Sequence, residues 1–536
     1  MLNPGKRRFG QSASTPIRIA AAASMVLTGL PASAQNATIV PTFSISETIT
    51  DNRDLRSTGK QAEAITTISP GVRISSRSGR VQGSLDYSLN ALIYARDGSR
   101  NDVQHALAAG FSAEVVENHA FVDTRASISQ QSISAFGVQT PSFTTSNANR
   151  TEVRTLTVSP SLRGKLGDLA DLDARATWGV NSSGSSRAAD SSNTSISLRA
   201  SGGRGPIGWS TGISESTSDF EGGRKSKQGQ SDFSVSYRLS SEYRANLRIA
   251  RESNDILSTR QQHTNSWGGG LDWTPNPDLR ASLRVARETT DGGLTPQPDR
   301  TSWGGGLNWA PTPRTNLSIE SDRRFFGNSR SVSFQHRMAR SVWSFTDTRN
   351  ISTNLTGNPG SGVLDSYDQL FAQYASAIPD PVLRDLFVRA FLASRPGFLT
   401  NAVTLQHSRN ATVLLQGVRT NISFNVYATD SRRLDGASSA IDDLSLAGTV
   451  RQHGHSVTVS YQLAPITSVN FGYNRSSTDG FGTQSGNGQR AFTLSMSTQL
   501  FYQRTSLTLS LRRVVFDSAV QPYTENGATA TLSVRF

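Results

Sequence analysis

The sequence of 536 residues contains no cysteine, so no disulfide stabilises it. Lysine is scarce: it occurs only at positions 6, 60, 165, 225 and 227, whereas lysine and arginine together number 54. No segment after residue 34 approaches the about eighteen apolar residues of a membrane-spanning helix, which excludes helical membrane spans. A chain of this kind depends on the hydrogen-bond ladder of a sheet and on burial in lipid or in a core.

Residues 1–34 have the pattern of a secretory signal peptide. Lys6, Arg7, Arg8 and Arg18 form a basic region, 19–30 is a short apolar stretch, and 32–34 reads Ala-Ser-Ala, a small-residue cleavage site. A buried N-terminal helix is the alternative interpretation. Removal of the signal leaves 35–536, and the net charge falls from +13 by the four basic residues of the signal.

The abundant arginine suits carboxylate ladders inside a barrel and the phosphate groups of surface glycolipids. A codon bias of the genome explains the same preference equally well. The arginines are spread along the chain without a clustered basic stripe, so we expect no binding of nucleic acid.

The chain ends on a strand that is apolar on one face and polar on the other. Residues two apart lie on the same face of a strand, and the apolar set is Ala528, Ala530, Leu532, Val534 and Phe536. The terminal Phe536 is typical of the signal that the barrel insertion machinery reads in bacterial outer-membrane barrels. Similar alternation recurs at 81–93, 156–163, 457–463, 492–496 and 507–511. The pattern predicts a transmembrane antiparallel up-and-down β-barrel of about 24 strands, between 22 and 26, in the bacterial outer membrane.

The connections between these segments alternate in length. Short turns are predicted at 77–79, 117–119, 274–277, 311–313 and 464–465, and long polar loops at 51–61, 134–149, 289–299 and 430–443. Outer-membrane barrels have short periplasmic turns and longer external loops. A strand is expected near 37–46, soon after the cleavage site, so no N-terminal plug domain is predicted, which argues against a plugged energy-coupled transporter.

A local repeat places tryptophans at regular positions. The octapeptide at 266–273 returns at 302–309 as Ser-Trp-Gly-Gly-Gly-Leu-Asx-Trp. One repeat corresponds to one hairpin with its loop, and we expect its tryptophans near the two membrane interfaces, as an aromatic girdle: Trp267, Trp273, Trp303 and Trp309. The glycine triplet is not followed by the helix and lysine of a phosphate-binding loop.

One segment, 361–397, has helical rather than strand periodicity. Its first apolar stripe includes Leu370, Phe371 and Tyr374. Asp380 and Pro381 are suited to begin a second helix, whose apolar face is Leu383, Leu386, Phe387 and Phe391. The spacing predicts a helical hairpin inserted in the barrel, on the external side or folded into the lumen.

The sequence contains no recognisable catalytic signature. The seven histidines lie in no nucleophilic, metalloprotease or paired-carboxylate motif, so we expect neither enzymatic activity nor a cofactor or metal. His453 and His455 have a spacing that permits a weak metal site, but a polar pair in a turn is the preferred interpretation. Asp442 and Asp443 are interpreted as loop or lumen charges.

Strand periodicity places Asp173 and Arg175 on the same face. This arrangement favours a ladder of charges along the lumen.

Several stretches resemble one group of bacterial proteins. These are 43–55, 68–97, 367–400 around the sequence IPDPVLRDLFVRAFLASRPG, and 414–418. They resemble outer-membrane proteins associated with the PEP-CTERM/exosortase system, which the resemblance links to extracellular-polysaccharide loci. The resemblance implies a barrel and a process, and it carries no catalytic or transport residues.

Two functional hypotheses follow. The first is a pore or scaffold for export or surface display of polysaccharide or sorted proteins, since so wide a barrel has a lumen that side chains alone do not fill. The alternative is a surface binding or assembly protein for anionic polysaccharide or a sorted partner, without transport. Expected partners are outer-membrane lipid and lipopolysaccharide, the insertion machinery, and exopolysaccharide or PEP-CTERM proteins.

Overall fold

A computed structural model describes residues 37–536, except 78, 143, 146, 186–189, 222–223, 257–260, 293–298, 325–326, 353–396, 401, 435–441 and 502–503. The described chain is one closed antiparallel sheet of 24 strands. The strand number predicted from the sequence is therefore confirmed. The signal peptide and nearly all of the expected hairpin 361–397 lie outside the described residues.

The strands follow one another around the barrel in chain order. Their bounds are β1 Ala37–Thr50, β2 Glu63–Arg77, β3 Val81–Tyr94, β4 Asp102–Val116, β5 Ala120–Ser132, β6 Arg150–Leu166, β7 Ala170–Ser183, β8 Ser191–Arg204, β9 Ile207–Phe220, β10 Arg224–Arg238, β11 Tyr243–Ile256, β12 Gln261–Asn276, β13 Leu279–Gly292, β14 Arg300–Thr312, β15 Thr315–Arg324, β16 Gly327–Arg337, β17 Ser341–Ser352, β18 Thr404–Gln416, β19 Thr420–Arg433, β20 Thr449–Ala464, β21 Thr467–Thr478, β22 Asn487–Leu500, β23 Thr505–Ser518 and β24 Tyr523–Arg535. A 3₁₀ turn spans Gly98–Arg100, and a short helix, α1, spans Asp443–Ala447.

The last strand closes the barrel on the first. In this pairing Thr42 lies opposite Arg535 and Thr50 opposite Gly527. The Phe536 amide donates a hydrogen bond to the Pro41 carbonyl at 3.1 Å, beyond the last strand residue. Closure satisfies the backbone groups that an open sheet edge would leave unpaired, which a lipid environment requires.

The two ends of the barrel differ in their connections. At the end where β1 starts and β24 finishes, every connection is two to four residues long, as at 117–119 and 465–466. The longer connections, including 51–62, 133–149 and 434–448, lie at the other end, which we call the outer end. Two strands extend into segments that the sequence predicts to be loops. β13 ends at Gly292, inside the predicted loop 289–299, and β19 ends at Arg433, inside the predicted loop 430–443.

Apolar side chains face away from the lumen along the strands. Leu247 on β11, Ile213 on β9 and Leu283 on β13 are each more than half exposed, because none of the residues that the structure describes covers them. An exposed apolar surface that surrounds a closed barrel is suited to contact lipid. No helix among the described residues is long and apolar enough to cross a membrane.

Candidate functional site: the lumen and its outer mouth

The lumen wall carries a ladder of opposite charges. On β13 and β15, Arg284 contacts Glu320 at 3.1 Å and Asp322 at 3.0 Å. Similar pairs join strands one or two apart along the wall: Arg163–Asp173, Arg175–Asp123, Arg248–Asp232, Arg280–Asp272 and Arg300–Glu288. The structure thus places Asp173 and Arg175 in the lumen ladder that their spacing predicts.

Most of these charged groups remain accessible to solvent. The side chains of Arg280 and Glu320 are 55% and 57% exposed, and that of Arg248 is 44% exposed. Exposed ion pairs of this kind contribute little stability. Their main effect is to make the wall of the lumen polar.

A different arrangement covers part of the outer mouth. The loop 133–149, which we call the inward loop, connects β5 and β6 but contacts strands from the other end of the chain. The Asn487 side chain donates to the Ala135 carbonyl at 2.9 Å, and the Gln489 side chain donates to the Gln139 carbonyl at 2.9 Å. The Tyr523 hydroxyl also donates to the Gln139 carbonyl. The inward loop therefore spans the mouth between β5–β6 and β22–β24.

Two adjacent aspartates connect the inward loop to other loops through hydrogen bonds. Asp443 accepts hydrogen bonds from the Ser134 hydroxyl at 2.7 Å and from the Ala135 amide at 2.6 Å. Asp442 accepts from the Thr400 hydroxyl at 2.8 Å. Both aspartates lie in the connection between β19 and β20, as the interpretation as loop charges expects, and both are buried.

The same sequence forms the cap of α1. The Asp442 side chain accepts from the Ser445 amide at 2.7 Å, and the Ser445 hydroxyl accepts from the Asp442 amide at 2.9 Å. This is a capping box with serine in the place of the usual glutamate. Gly448 then ends the helix with a φ of 69°, a left-handed conformation that glycine adopts without strain.

Apolar side chains pack beneath these polar contacts. One cluster joins the inward loop to α1 and β20 and consists of Ala135, Phe398, Ala402, Leu444 and Val450. A second joins the loop 51–62 to β22–β24 and consists of Leu55, Ala491, Val514, Phe516 and Tyr523. The buried apolar clusters of the described residues all lie on strands β18–β24 and β1–β6 or their loops. We call this the covered side, and β7–β17 the open side.

A buried carboxylate supports the covered side at the seam of the barrel. Glu525 on β24 is 0% exposed and pairs with Arg512 at 2.9 Å. Its Oε1 also accepts from the hydroxyls of Thr50 on β1 and Thr145 in the inward loop, at 3.0 and 3.2 Å. One side chain thus connects barrel closure to the position of the inward loop.

A second charged network lies above the strands on the covered side. Arg53 contacts the buried Glu63 at 2.7 Å and Asp97 at 3.4 Å, and Arg100 contacts Asp54 at 2.9 Å. The hydrogen bond to Glu63 raises the pKa of the Arg53 guanidinium above its ordinary value. A hydrogen bond from the Ser99 hydroxyl, together with Arg100 and Arg53, lowers the pKa of the Asp97 carboxyl.

The tryptophans of the repeat face outward. Trp267 and Trp273 lie on β12, Trp303 and Trp309 on β14, and all four are between 38% and 63% exposed. Trp267 and Trp303 lie nearer the outer end, and the other two lie near the turns. This placement is the one that an aromatic girdle requires, and the role itself stays a prediction. Phe536 also faces outward and is 71% exposed, and its role as an insertion signal stays a prediction.

The remaining sequence-based expectations have mixed outcomes. Leu370, Phe371, Tyr374, Leu383, Leu386, Phe387 and Phe391 lie outside the described residues. His453 and His455 lie on β20 rather than in a turn, because β20 starts at Thr449. His455 packs on Tyr473 with ring centroids 5.7 Å apart. Among the described residues no group of three or more His, Cys, Asp or Glu side chains is placed to bind a metal ion.

Comparison with known proteins gives structural neighbours only. No protein-family model and no curated protein matches the chain. The FrpB iron transporter of Neisseria meningitidis is similar with a TM-score of 0.43 and 9% identity, over 96% of this chain and 83% of that chain. The siderophore receptor PirA of Pseudomonas aeruginosa has a TM-score of 0.37 and 10% identity, over 92% and 80% of the two chains.

These values assign neither a ligand nor a transport mechanism to this chain. Its own geometry supports a simpler conclusion, which rests on the closed sheet, the apolar outer surface and the charged lumen. The chain is a β-barrel of the outer-membrane type, with an open side and a loop-covered side at its outer mouth.

Proposed function

We propose that this barrel is an outer-membrane pore for hydrophilic cargo, which serves export or surface display in the PEP-CTERM/exosortase and extracellular-polysaccharide system. The observation that carries the pore is the solvent-exposed ladder of ion pairs along the open side of the lumen. The resemblance of 43–55, 68–97 and 367–400 supports the link to that system.

The pairing of the charges favours a pore of weak charge selectivity. Arg284 lies between Glu320 and Asp322, and Arg248 lies beside Asp232, so neither sign dominates locally. A wall of this kind is wetted and presents hydrogen-bond donors and acceptors without a strong unipolar field. Sugars and extended polypeptides are hydrophilic cargo that suits such a wall.

The covered side supplies a fixed constriction. The inward loop, α1 and the loop 51–62 are held by buried hydrogen bonds and apolar clusters. The passage that remains lies along the open side, where the connections 221–223, 257–260 and 325–326 are short. We assign residues 361–397 to a gate or partial plug of this passage.

Single-channel conductance in planar bilayers tests the pore. We expect measurable conductance for the full-length protein and a larger value after deletion of 364–395, if those residues gate the passage. The Arg284→Gln variant leaves Glu320 and Asp322 unbalanced and should shift the reversal potential in a salt gradient toward cation preference. Folded barrel that gives no channel, with or without 364–395, would contradict the proposal.

The alternative function predicts a different result with the same material. A surface binding protein for anionic polysaccharide would give no conductance but would bind the exopolysaccharide of its host, more weakly at high salt. Genes for exosortase and polysaccharide synthesis beside this gene would support the assigned system. Their absence would not affect the proposal of a pore, but it would remove the support for a role in that system.

A further inference from the structure

The outer surface of β16–β18, where the open side meets the covered side, carries a cluster of basic side chains at the edge of the apolar band. On β17 the outward residues run from Trp343 and Phe345, which are 43% and 37% exposed, to Asp347 and Arg349. On β16 the outward side chains Phe334 and Val332 are followed by Arg330, and on β18 Val413 and Ala411 precede Arg409 toward the outer end. Three neighbouring strands therefore change from apolar to basic at a similar height.

The register brings these groups close together. Arg330 lies opposite Arg349 across β16 and β17, and Arg409 lies opposite Asp347 across β17 and β18. Asp347 accepts from Arg330 and lies 2.9 Å from His407 Nε2. Arg409 Nε donates to His407 Nε2 at 3.1 Å. We call Arg330, Arg349, Arg409 and His407 the basic cluster.

One carboxylate, that of Asp347, contacts Arg330 and His407 in this cluster, whereas Arg349 donates to the Asn328 carbonyl at 3.2 Å. The side chain of Asp347 is only 9% exposed, while that of Arg330 is 43% exposed and Arg409 is exposed. A single carboxylate that contacts two of the four basic side chains does not neutralise the cluster. Like charges that face each other across strands are unfavourable, and an added anion would relieve this repulsion.

The position of the cluster restricts the class of anion. Its members point away from the lumen, so cargo in the pore does not meet them. The apolar side chains directly beneath them face the acyl chains of a bilayer. Forked guanidinium groups bind phosphate oxygens in pairs. A molecule that satisfies both surfaces has a phosphate-bearing headgroup and an apolar tail.

We propose that the basic cluster is a binding site for a phosphorylated glycolipid of the outer leaflet, with Arg330, Arg349 and Arg409 on the headgroup phosphate. The same outward face continues with Arg251 on β11 and Arg287 on β13, each after an exposed apolar residue, Ile249 and Val285. On β1–β9 the corresponding outward edge has Arg154, which pairs with Glu152 at 2.7 Å. Arg287 likewise pairs with Asp299 at 3.1 Å, so each of these two arginines already has a carboxylate partner.

Binding of diphosphoryl lipid A to the purified full-length barrel in phosphatidylcholine nanodiscs tests the site. The triple variant Arg330→Gln, Arg349→Gln, Arg409→Gln should lower the affinity at least about tenfold, because charge-assisted contacts to phosphate are lost. The matched control is Arg314→Gln, Arg340→Gln, Arg419→Gln, which removes the same charge from turns at the opposite end of neighbouring strands. We expect this control to bind within about twofold of the wild type, since those turns lie far from the cluster.

Two further binding measurements distinguish the phosphate of a lipid headgroup from free inorganic phosphate. Lipid A without phosphates should bind wild type and triple variant equally weakly, and inorganic phosphate should not displace bound lipid A at equal concentration. If the triple variant does not give a folded, heat-modifiable barrel, Arg409→Gln alone is measured and should show a smaller loss in the same direction. Equal binding by the cluster variant and the turn control, or by lipid A with and without phosphates, would overturn the proposal.

Discussion

The covered and open sides of this barrel use the same strands in two ways. On the covered side, loops enter the mouth and bury apolar clusters, as Leu444 and Phe398 do with Ala135. On the open side, Arg284 and its acidic partners line an accessible lumen. The comparison shows that one sheet supports both a packed interior and a wetted wall, and that the loops at the outer end determine which of them forms.

The outer surfaces of the two sides differ as well. On β1, β3 and β4 exposed apolar residues continue to the outer ends of the strands, at Ile49, Ile93 and Val103. On β11 the outward apolar residues end at Ile249, and Arg251 follows well before the strand ends at Ile256. The apolar band therefore extends further toward the outer end on β1, β3 and β4 than on β11.

Removal of the buried Glu525 should most strongly weaken the covered side. Glu525→Ala leaves Arg512, 16% exposed, without its partner, and loss of one member of a buried pair costs about 3–5 kcal/mol. The free energy of unfolding of the detergent-folded barrel in urea measures the loss. Asp517→Ala is the control, because Asp517 is 62% exposed in its pair with Arg490 and should change stability by less than about 1 kcal/mol. Similar losses in both variants would show that Glu525 has no special role.

Arginine substitutions on the two faces of one strand should distinguish the face that contacts lipid from the face that lines the lumen. Leu247 faces outward and is 69% exposed, whereas the adjacent Asn246 faces the lumen. Leu247→Arg should cost about 2–4 kcal/mol near the bilayer midplane, and Asn246→Arg should be close to neutral. Refolding yield and urea unfolding in lipid vesicles give both values. A neutral Leu247→Arg would contradict the assignment of this face to lipid.

Release of the inward loop should make the covered mouth resemble the open one. Asp443→Ala leaves the Ser134 hydroxyl and the Ala135 amide without their acceptor, at a cost of about 1–3 kcal/mol for buried donors. We expect faster proteolysis and hydrogen exchange of 133–149 and a higher conductance. Asp430→Ala, whose carboxylate is 40% exposed beside Arg451, should leave the inward loop unchanged.

The smallest expected effect concerns pH and the loops above the covered side. The pKa of Asp97 is lowered in the folded loop by Ser99, Arg100 and Arg53, so its ionised form stabilises the folded arrangement above the ordinary pKa of an aspartate. That contribution is lost as the pH falls through the lowered value. The protection factors of the amides of 95–101 in hydrogen exchange should decrease on acidification in the wild type. They should depend less on pH in Asp97→Asn. Equal pH dependence in both proteins would remove Asp97 from the network.

Short sequence patterns predicted the barrel because the two faces of a strand and the positions of its turns depend on residues that are close together in the chain. Alternation along 528–536 gives β24 its two faces, and proline and glycine turns such as 465–466 mark the inner end. The lumen pair of Asp173 and Arg175 followed from the same period of two. Strand number, antiparallel order and the two-sided lengths of the connections needed nothing more.

The arrangement of the loops at the outer mouth could not be predicted from local patterns, because the residues in contact there are far apart in the sequence. Asp443 bonds to Ser134, and Asn487 to Ala135, over separations of 309 and 352 residues. The one local signal was the series Asp442, Asp443 and Ser445, which begins the short helix α1. The prediction of a turn at His453 and His455 was wrong because their small polar neighbours resemble a turn, although the two histidines share the face of Val457 and Val459 and continue β20.

The anchoring of the inward loop has a consequence for the order of assembly. The loop is made early in the chain, after β5, but Gln489, Tyr523 and Glu525 hold it from β22 and β24. Contacts so distant in sequence form only after the intervening chain has been placed. The inward loop therefore gains these contacts only after β22 and β24 are in place, and a barrel halted short of the final hairpin would lack the contacts that narrow its entrance.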